Sequence, residues 1–480
     1  MGQYKRLISN TAILGAGTFA SKVLVLLLMP FYTGILSTAE FGTADLIAQT
    51  ANLLIPLAAV GICDGIFRFT LDSGTDGQRV LSTGTAILAV GSVALCALIQ
   101  LLRLFAIFDG YVLLIALYVI AANFHSAFAG YIRAQGRTTL FAVQGIVNTV
   151  LTIGLNILFL VTFDMGSTGY VLSVVVADFT MAVVLFFAAR LYRDIKPGLV
   201  SGETAKSMLK FSIPYIPTTM MWLITSVSDR YIVTAYCGEG ENGLYAAAYK
   251  LPTLLSLVSG VFVEAWHFSS VKDAEEGERS SFFGTVYGSF MGVMFLGASV
   301  LIAGSKIFTR ILLADSYFAS WQFVPVLVIA TTFSTLVSFL GSVYFLEKKS
   351  MLSMLTAMSG AVINVILNFV MIPTHGAMGA AVATLISYVT VYFIRVYDTG
   401  RYLRFPLHGG RLAVNSLLLL VQAVIMTEAF RYWELAQIGI VLFMLVFNGK
   451  EIFVTCMRLL GRFARKKEKS EKNSEKEEKN

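Results

Sequence analysis

The chain has 480 residues, of which 56% are hydrophobic and only 14% charged, with a mean hydropathy of +0.75 and a formal charge of +7. A soluble enzyme or nucleic-acid-binding domain of this length needs far more charge to cover its surface, so both are excluded. Apolar runs of about 18 or more residues, enough to cross a ~30 Å hydrocarbon core, recur from end to end and are too continuous for barrel strands.

The first run continues through VLVLLLMPFYTGIL, well past the length of a signal-peptide core and with no A-x-A-like exit, so it reads as a retained span. Roughly fourteen spans are predicted. They begin near residues 10, 44, 81, 111, 139, 169, 211, 243, 280, 320, 352, 376, 410 and 436. Alternate loops are basic, carrying Arg133, Arg137, Arg190, Arg193, Lys196, Lys348 and Lys349, whereas the turns LSTAEFG, FDMGSTG, CGEGENG and PTHGA hold almost nothing basic. Only Arg103, Lys306, Arg310 and Arg431 depart from this pattern. The asymmetry places both termini in the cytoplasm. The tail RFARKKEKSEKNSEKEEKN has too few apolar residues to pack a core and reads as disordered, with Arg465, Lys466 and Lys467 facing anionic lipid. Cys63, Cys96, Cys237 and Cys456 are scattered, without metal or disulfide spacing.

A weak internal repeat runs through the chain. EFGTADLIAQ (Glu40 to Gln49) lines up with ENGLYAAAYK (Glu241 to Lys250), and GICDGIFRFT with GVFVEAWHFS. YIRAQGRTTL and GLNILFLV are echoed by VYFLEKKSML and ILNFVMIP. The common offset of about 200 residues predicts two parallel, pseudo-symmetric six-helix bundles. The expected domains are therefore residues 1–200 and 201–400, joined by the polar linker IKPGLVSGETAKSM, then two extra helices over 401–460 and the tail over 461–480. This is an all-α polytopic membrane protein.

Charges inside the spans carry the functional expectation. Lys22, Arg230 and Lys250 would together cost roughly 8–10 kcal/mol in lipid, which rivals the stability of a whole domain, so they must be paired or face water. Arg230 and Lys250 flank one outer turn at similar depth, and Asp229 can neutralise only one of them. Because neighbouring helix positions point in different directions, Asp229 is expected to serve Lys250 rather than Arg230. The two readings are a structural Asp229–Lys250 pair with Arg230 reaching outward, or an anion site in a wet cavity. Lys22 supports the second, although pairing with Asp178 is its bland alternative. Asp64 and Arg68, four apart, can pair along one helix, and Arg68 can form an inner entry site with His267. Glu264 and His267 can carry protons. Asn123, His125, Asn148, Asn156, Asn364 and Asn368 are expected to bond between helices. Pro30, Pro56, Pro214, Pro217, Pro252 and Pro325 are expected to bend or break their helices. No phosphate loop, metal cluster, partnered nucleophile or nucleotide domain is present in the sequence.

With SDRYIV, NGLYAAAYKL, FGTADLIAQT and GICDGIFRFT as its most specific pieces, the chain resembles Wzx-type flippases of the multidrug/oligosaccharidyl-lipid/polysaccharide (MOP) exporter superfamily. The resemblance covers everything before the tail. It implies fourteen helices and export of undecaprenyl-pyrophosphate-linked oligosaccharide from the inner to the outer leaflet of the bacterial cytoplasmic membrane by alternating access. It implies Lys22, Arg230 and Lys250 as substrate-binding cations, with Arg68 added from the repeat. Its partners would be membrane lipids, a polysaccharide polymerase and glycosyltransferases. It implies no enzyme activity, metal or cofactor. Coupling to a proton, to sodium or to the membrane potential would run through Asp64, Asp178, Asp229 or Glu264. Moving about two negative charges outward gains roughly 4–5 kcal/mol per 100 mV. Alternatives are a multidrug/toxin exporter or a lipid II flippase of the same superfamily, and, less favoured, a membrane glycosyltransferase or polysaccharide polymerase. FASKVLVLLLMPFYTGIL lacks the arginine-rich pattern of the lipid II subgroup. The longest outer loop, GSKIFTRILLADSYFAS, has Asp315 as its only carboxylate, which disfavours an outer catalytic site.

Overall fold

The computed structural model describes residues 24 and 26–449 except 73–74, 105–107, 273–278, 348 and 429–430. Among the described residues there are helices and no strands. The expected disordered tail lies outside the described residues.

Short polar signals start and stop the helices. After α1 (Met29–Ile35), Ser37 and Glu40 form a reciprocal cap that starts α2 (Thr38–Ala58). Gly61, in the left-handed region at φ 66°, turns the chain into α3 (Ile62–Thr70), bent by 56° from α2. Asp76 caps α4 (Gly77–Leu98), and α5 (Val112–Ala134), α6 (Thr138–Ile157) and α7 (Gly166–Ala188) follow. Ser201 caps the amphipathic α8 (Gly202–Ser212), which leads through Pro214 into α9 (Tyr215–Cys237). Gly238, at φ 88°, ends α9 before α10 (Glu239–Ala248). Pro252 lies in the joint with α11 (Thr253–Lys272), where the axis turns by 47°. Then come α12 (Arg279–Ala303), α13 (Ser305–Leu312), α14 (Val324–Leu346), α15 (Ser350–Thr399), α16 (Gly409–Glu428) and α17 (Trp433–Gly449).

Eight of these helices are long and apolar enough to cross a membrane, or ten if each bent pair is one crossing. The 50 residues of α15 would extend about 75 Å, more than twice a ~30 Å hydrocarbon core. Gly376, at φ 57° and ψ −144°, breaks it into two arms of crossing length. Together with α9 and the short α17, the described crossings approach the expected fourteen. The surfaces of α4 and α6 carry exposed Val90, Val93, Val150 and Ile157, an apolar exterior that suits lipid.

Two turns are shorter than the sequence suggests. In LSTAEFG the Ser37 cap folds all but the first two residues into α2, and in CGEGENG only Gly238 interrupts the helical backbone. The segment GSKIFTRILLADSYFAS, expected as an outer loop, is folded as α13 and a 3-10 segment from Asp315.

The chain divides into two compact units. The first holds Met1–Ala247, Arg310–Ala319 and Ala357–Ala380. In it, Ile62, Ile66, Leu81, Tyr131, Leu185 and Met208 join α3, α4, α5, α7 and α8, and Ala44, Ile47, Ile115 and Val171 join α2, α5 and α7. The second unit holds Ala248–Thr309, Ser320–Thr356 and Ala381–Asn480. Its axis is α14, largely apolar and buried along most of its length, with Ser334, Thr335 and Ser338 interrupting the apolar surface on one side. Phe339 of α14 stacks with Trp266 and Phe290, Trp266 meets Phe283 edge-on, and Tyr287 and Tyr392 share a 2.7 Å hydroxyl contact.

Candidate functional site

Within the first unit, α2, α9 and α10 bring charged residues together. Arg230 Nε donates to Asp45 Oδ2 at 2.6 Å, and its Nη1 lies 3.8 Å from Asp229 Oδ1. Asp229 is fully buried; it accepts from the Arg230 backbone N–H at 2.9 Å and from the Tyr245 hydroxyl at 2.6 Å. Gln49 reaches Asp45 Oδ1 at 3.3 Å, and Thr50 and Tyr231 share a 2.8 Å contact. One guanidinium thus faces two carboxylates, so burial is offset by pairing rather than by water.

This corrects two expectations. Asp229 does approach Arg230, because Oδ1 folds back to accept from the Arg230 backbone N–H and so lies near the guanidinium. Arg230 does not reach outward; Asp45 from α2 holds it. Asp45 lies in EFGTADLIAQ, whose repeat match carries no information about charge pairing. An acid in the middle of an apolar run was the available signal.

Small residues let these helices approach. A Cβ on Gly243 would lie 1.8 Å from the Thr38 carbonyl oxygen, and one on Gly42 would lie 2.1 Å from that of Glu239. Asn242 Nδ2 donates to the Gly42 carbonyl at 3.0 Å. In the register that pairs Glu40 with Glu241, Gly42 is equivalent to Gly243 and Thr38 to Glu239. The contact is therefore reciprocal, as a two-fold axis relating the two helix starts requires.

Lys250 is half-buried at the Tyr249–Pro252 joint, where its carbonyl accepts from the Thr253 hydroxyl at 2.5 Å. Asp64 and Arg68 are both exposed on α3, and no ion pair joins them among the described residues. Lys22 and the side chains of Glu264 and His267 lie outside the description.

A second polar network crosses α5, α6 and α7. His125 Nδ1 lies 2.9 Å from Asp178 Oδ1 and its Nε2 lies 2.7 Å from Gln144 Oε1, while Asn148 Nδ2 donates to Asp178 at 2.9 Å. Asp178 therefore has protein partners on two neighbouring helices. Interhelical bonding also holds for Asn123, which donates to the Ile55 carbonyl, and for Asn364, which accepts from Ser228. Asn368 instead bonds to Asn364 along its own helix.

The described residues form a polytopic helical bundle with broken helices and charges paired between helices, a fold shared with solved membrane proteins of the MOP superfamily. Lipid II flippase MurJ in an inward closed conformation superposes with a TM-score of 0.72 at 16% identity, covering 93% of this chain and all of that one. An inward-facing multidrug resistance MATE family transporter gives 0.63 at 14% identity, over 82% of this chain and 95% of that one. A MOP superfamily transporter from Pyrococcus furiosus, described by a reversed polarity of its binding pocket, gives 0.58 at 14%, over 82% and 94%. Residues 7–267 match the family model described as polysaccharide biosynthesis protein, and the chain belongs to that family. The uncharacterized membrane protein MJ1375 of Methanocaldococcus jannaschii is 24% identical over 271 residues, half of this chain. The match spans 60% of that relative's length. The resemblance read from SDRYIV and NGLYAAAYKL thus agrees with both the family and the fold.

Proposed function

We propose that this protein is a flippase that passes polyprenyl-pyrophosphate-linked oligosaccharides from the inner to the outer leaflet of a bacterial cytoplasmic membrane, with both termini inside. The observation that carries this reading is membership of the polysaccharide biosynthesis family on a transporter fold. The two six-helix halves alternate access. The reciprocal Gly42–Gly243 contact supports such a pseudo-symmetry and is the natural outer gate.

Arg68 meets the pyrophosphate at the inner entrance, and Lys22, Arg230 and Lys250 hold it at mid-membrane by charge-assisted hydrogen bonds. For Arg230 this requires exchange of its Asp45 bond for phosphate. Lys250 suits the task because the bent joint that bears it can swing. The membrane potential drives export, and Asp64, Asp178, Asp229 and Glu264 are the candidate sites for proton or sodium coupling. A polymerase and glycosyltransferases act before and after the crossing.

The test is to follow radiolabelled lipid-linked intermediates in a deletion strain. They are expected to accumulate on the inner leaflet and to clear when the gene is restored. An unchanged intermediate pool together with lost resistance to cationic dyes would favour a multidrug exporter instead.

A further inference from the structure

In the second unit, α11 and α14 line an open cavity of about 360 Å³. It lies at the low end of ligand-sized pockets, ~300–1,000 Å³, and could hold roughly a dozen waters. Ser256, Ser259, Ser334, Thr335 and Ser338 line it, and no charged side chain does. Ser334, Thr335 and Ser338 fall at the middle of α14, so the cavity lies at the depth of the hydrocarbon core.

Hydroxyls at that depth need partners. Ser338 donates to the Ser334 carbonyl, and Thr335 to that of Thr332. Among the described residues no hydrogen bond engages the hydroxyls of Ser256, Ser259 or Ser334, and Ser259 is only 4% exposed. Gly260 widens the space, since a Cβ there would meet nothing within 4 Å. Beyond Val263, Trp266 stacks on Phe339 with its buried indole N–H likewise without a partner among the described residues.

A lining that both donates and accepts but bears no charge cannot compensate a pyrophosphate. It matches a neutral polyol, whose hydroxyls have the same dual capacity. We propose that this cavity is a glycan subsite, which takes one or two neutral sugar rings of the transported head group. The inference rests on the flippase reading and adds to it a selectivity for glycosylated over bare carrier lipid.

The experiment uses full-length protein in nanodiscs with Cys63, Cys96, Cys237 and Cys456 replaced by serine. Two single variants, Ser259→Cys and Ser334→Cys, are labelled with a small methanethiosulfonate. The probes are undecaprenyl pyrophosphate bearing a neutral disaccharide and the same lipid without sugar, and direct binding of each is measured in parallel by native mass spectrometry. Labelling is expected to slow with the glycosylated lipid and to be unaffected by the bare one. Removing two hydroxyls in Ser259→Ala/Ser334→Ala should weaken binding of the glycosylated probe about 5–30-fold and leave the bare lipid unchanged. Gly260→Leu, which fills the cavity without a backbone clash, should do the same. Binding of the glycosylated lipid without protection, or equal protection by both lipids, overturns the subsite alone. Failure of both lipids to bind overturns the flippase reading and the subsite with it.

Discussion

Arg230 Nε lies 2.6 Å from Asp45 Oδ2 across 185 residues of sequence, and this pair ties α9 to α2. Removing one member of a buried pair leaves the other charge uncompensated, at a cost of about 3–5 kcal/mol. Asp45→Ala is therefore expected to lower the melting temperature of the purified protein markedly. Asp45→Leu/Asp229→Asn/Arg230→Met, which removes all three buried charges together, should recover most of that loss while remaining inactive in flipping. A triple variant no more stable than Asp45→Ala would show that the charge cluster is not the source of the effect.

The Gly42–Gly243 contact leaves no room for a side chain. Gly243→Val and Gly42→Ala force the helix starts apart, with an expected loss of at least about 1–3 kcal/mol. Gly34→Ala is the control, because a Cβ there meets nothing within 4 Å. Thermal denaturation of the three variants in one detergent checks the ordering.

Asp178 links His125 on α5 and Asn148 on α6. Asp178→Ala orphans both partners and should cost about 1–3 kcal/mol, whereas Asp178→Asn keeps the shape and costs less. If Asp178 carries the coupling proton, Asp178→Asn should flip under a membrane potential but lose acceleration by a pH gradient. Retention of that acceleration would assign coupling elsewhere.

Arg395 is a buried cation that the sequence reading passed over. It is 1% exposed and donates to the Val337 carbonyl at 2.8 Å, to Thr356 Oγ1 at 3.0 Å and to the Ser353 carbonyl at 3.2 Å, with its guanidinium 5.5 Å from the Tyr344 ring centroid. Arg395→Lys cannot reproduce this planar fork and is expected to destabilise the second unit by about 2–4 kcal/mol. Limited proteolysis and melting curves of Arg395→Lys measure it.

Span positions were legible because hydropathy and helix caps are local: the reading put starts near 81, 111, 139 and 410, and the helices begin at Gly77, Val112, Thr138 and Gly409. Pro56 and Pro252 likewise lie near bends, about five residues before Gly61 and three after Tyr249. Pairing was not legible in the same way. Which carboxylate meets Arg230 depends on how α2 and α9 rotate about their axes, which no window of sequence fixes. The Asn residues pointed to polar contacts between helices, but the His125–Asp178 partnership required three helices to be placed. The hydroxyl cavity was invisible because serines spread over two distant segments carry no motif.

The central claim is that basic side chains hold the phosphate-bearing head group during its crossing. It is tested most directly by the rate at which proteoliposomes expose a fluorescent undecaprenyl-pyrophosphate glycan to an outer-leaflet quencher, with wild type, Lys250→Ala and Lys250→Arg compared at equal insertion. Loss of one charge-assisted bond predicts flipping slowed about 10–100-fold in Lys250→Ala, with substantial recovery in Lys250→Arg. Wild-type rates in Lys250→Ala, persisting when Arg230→Ala is added, would contradict it.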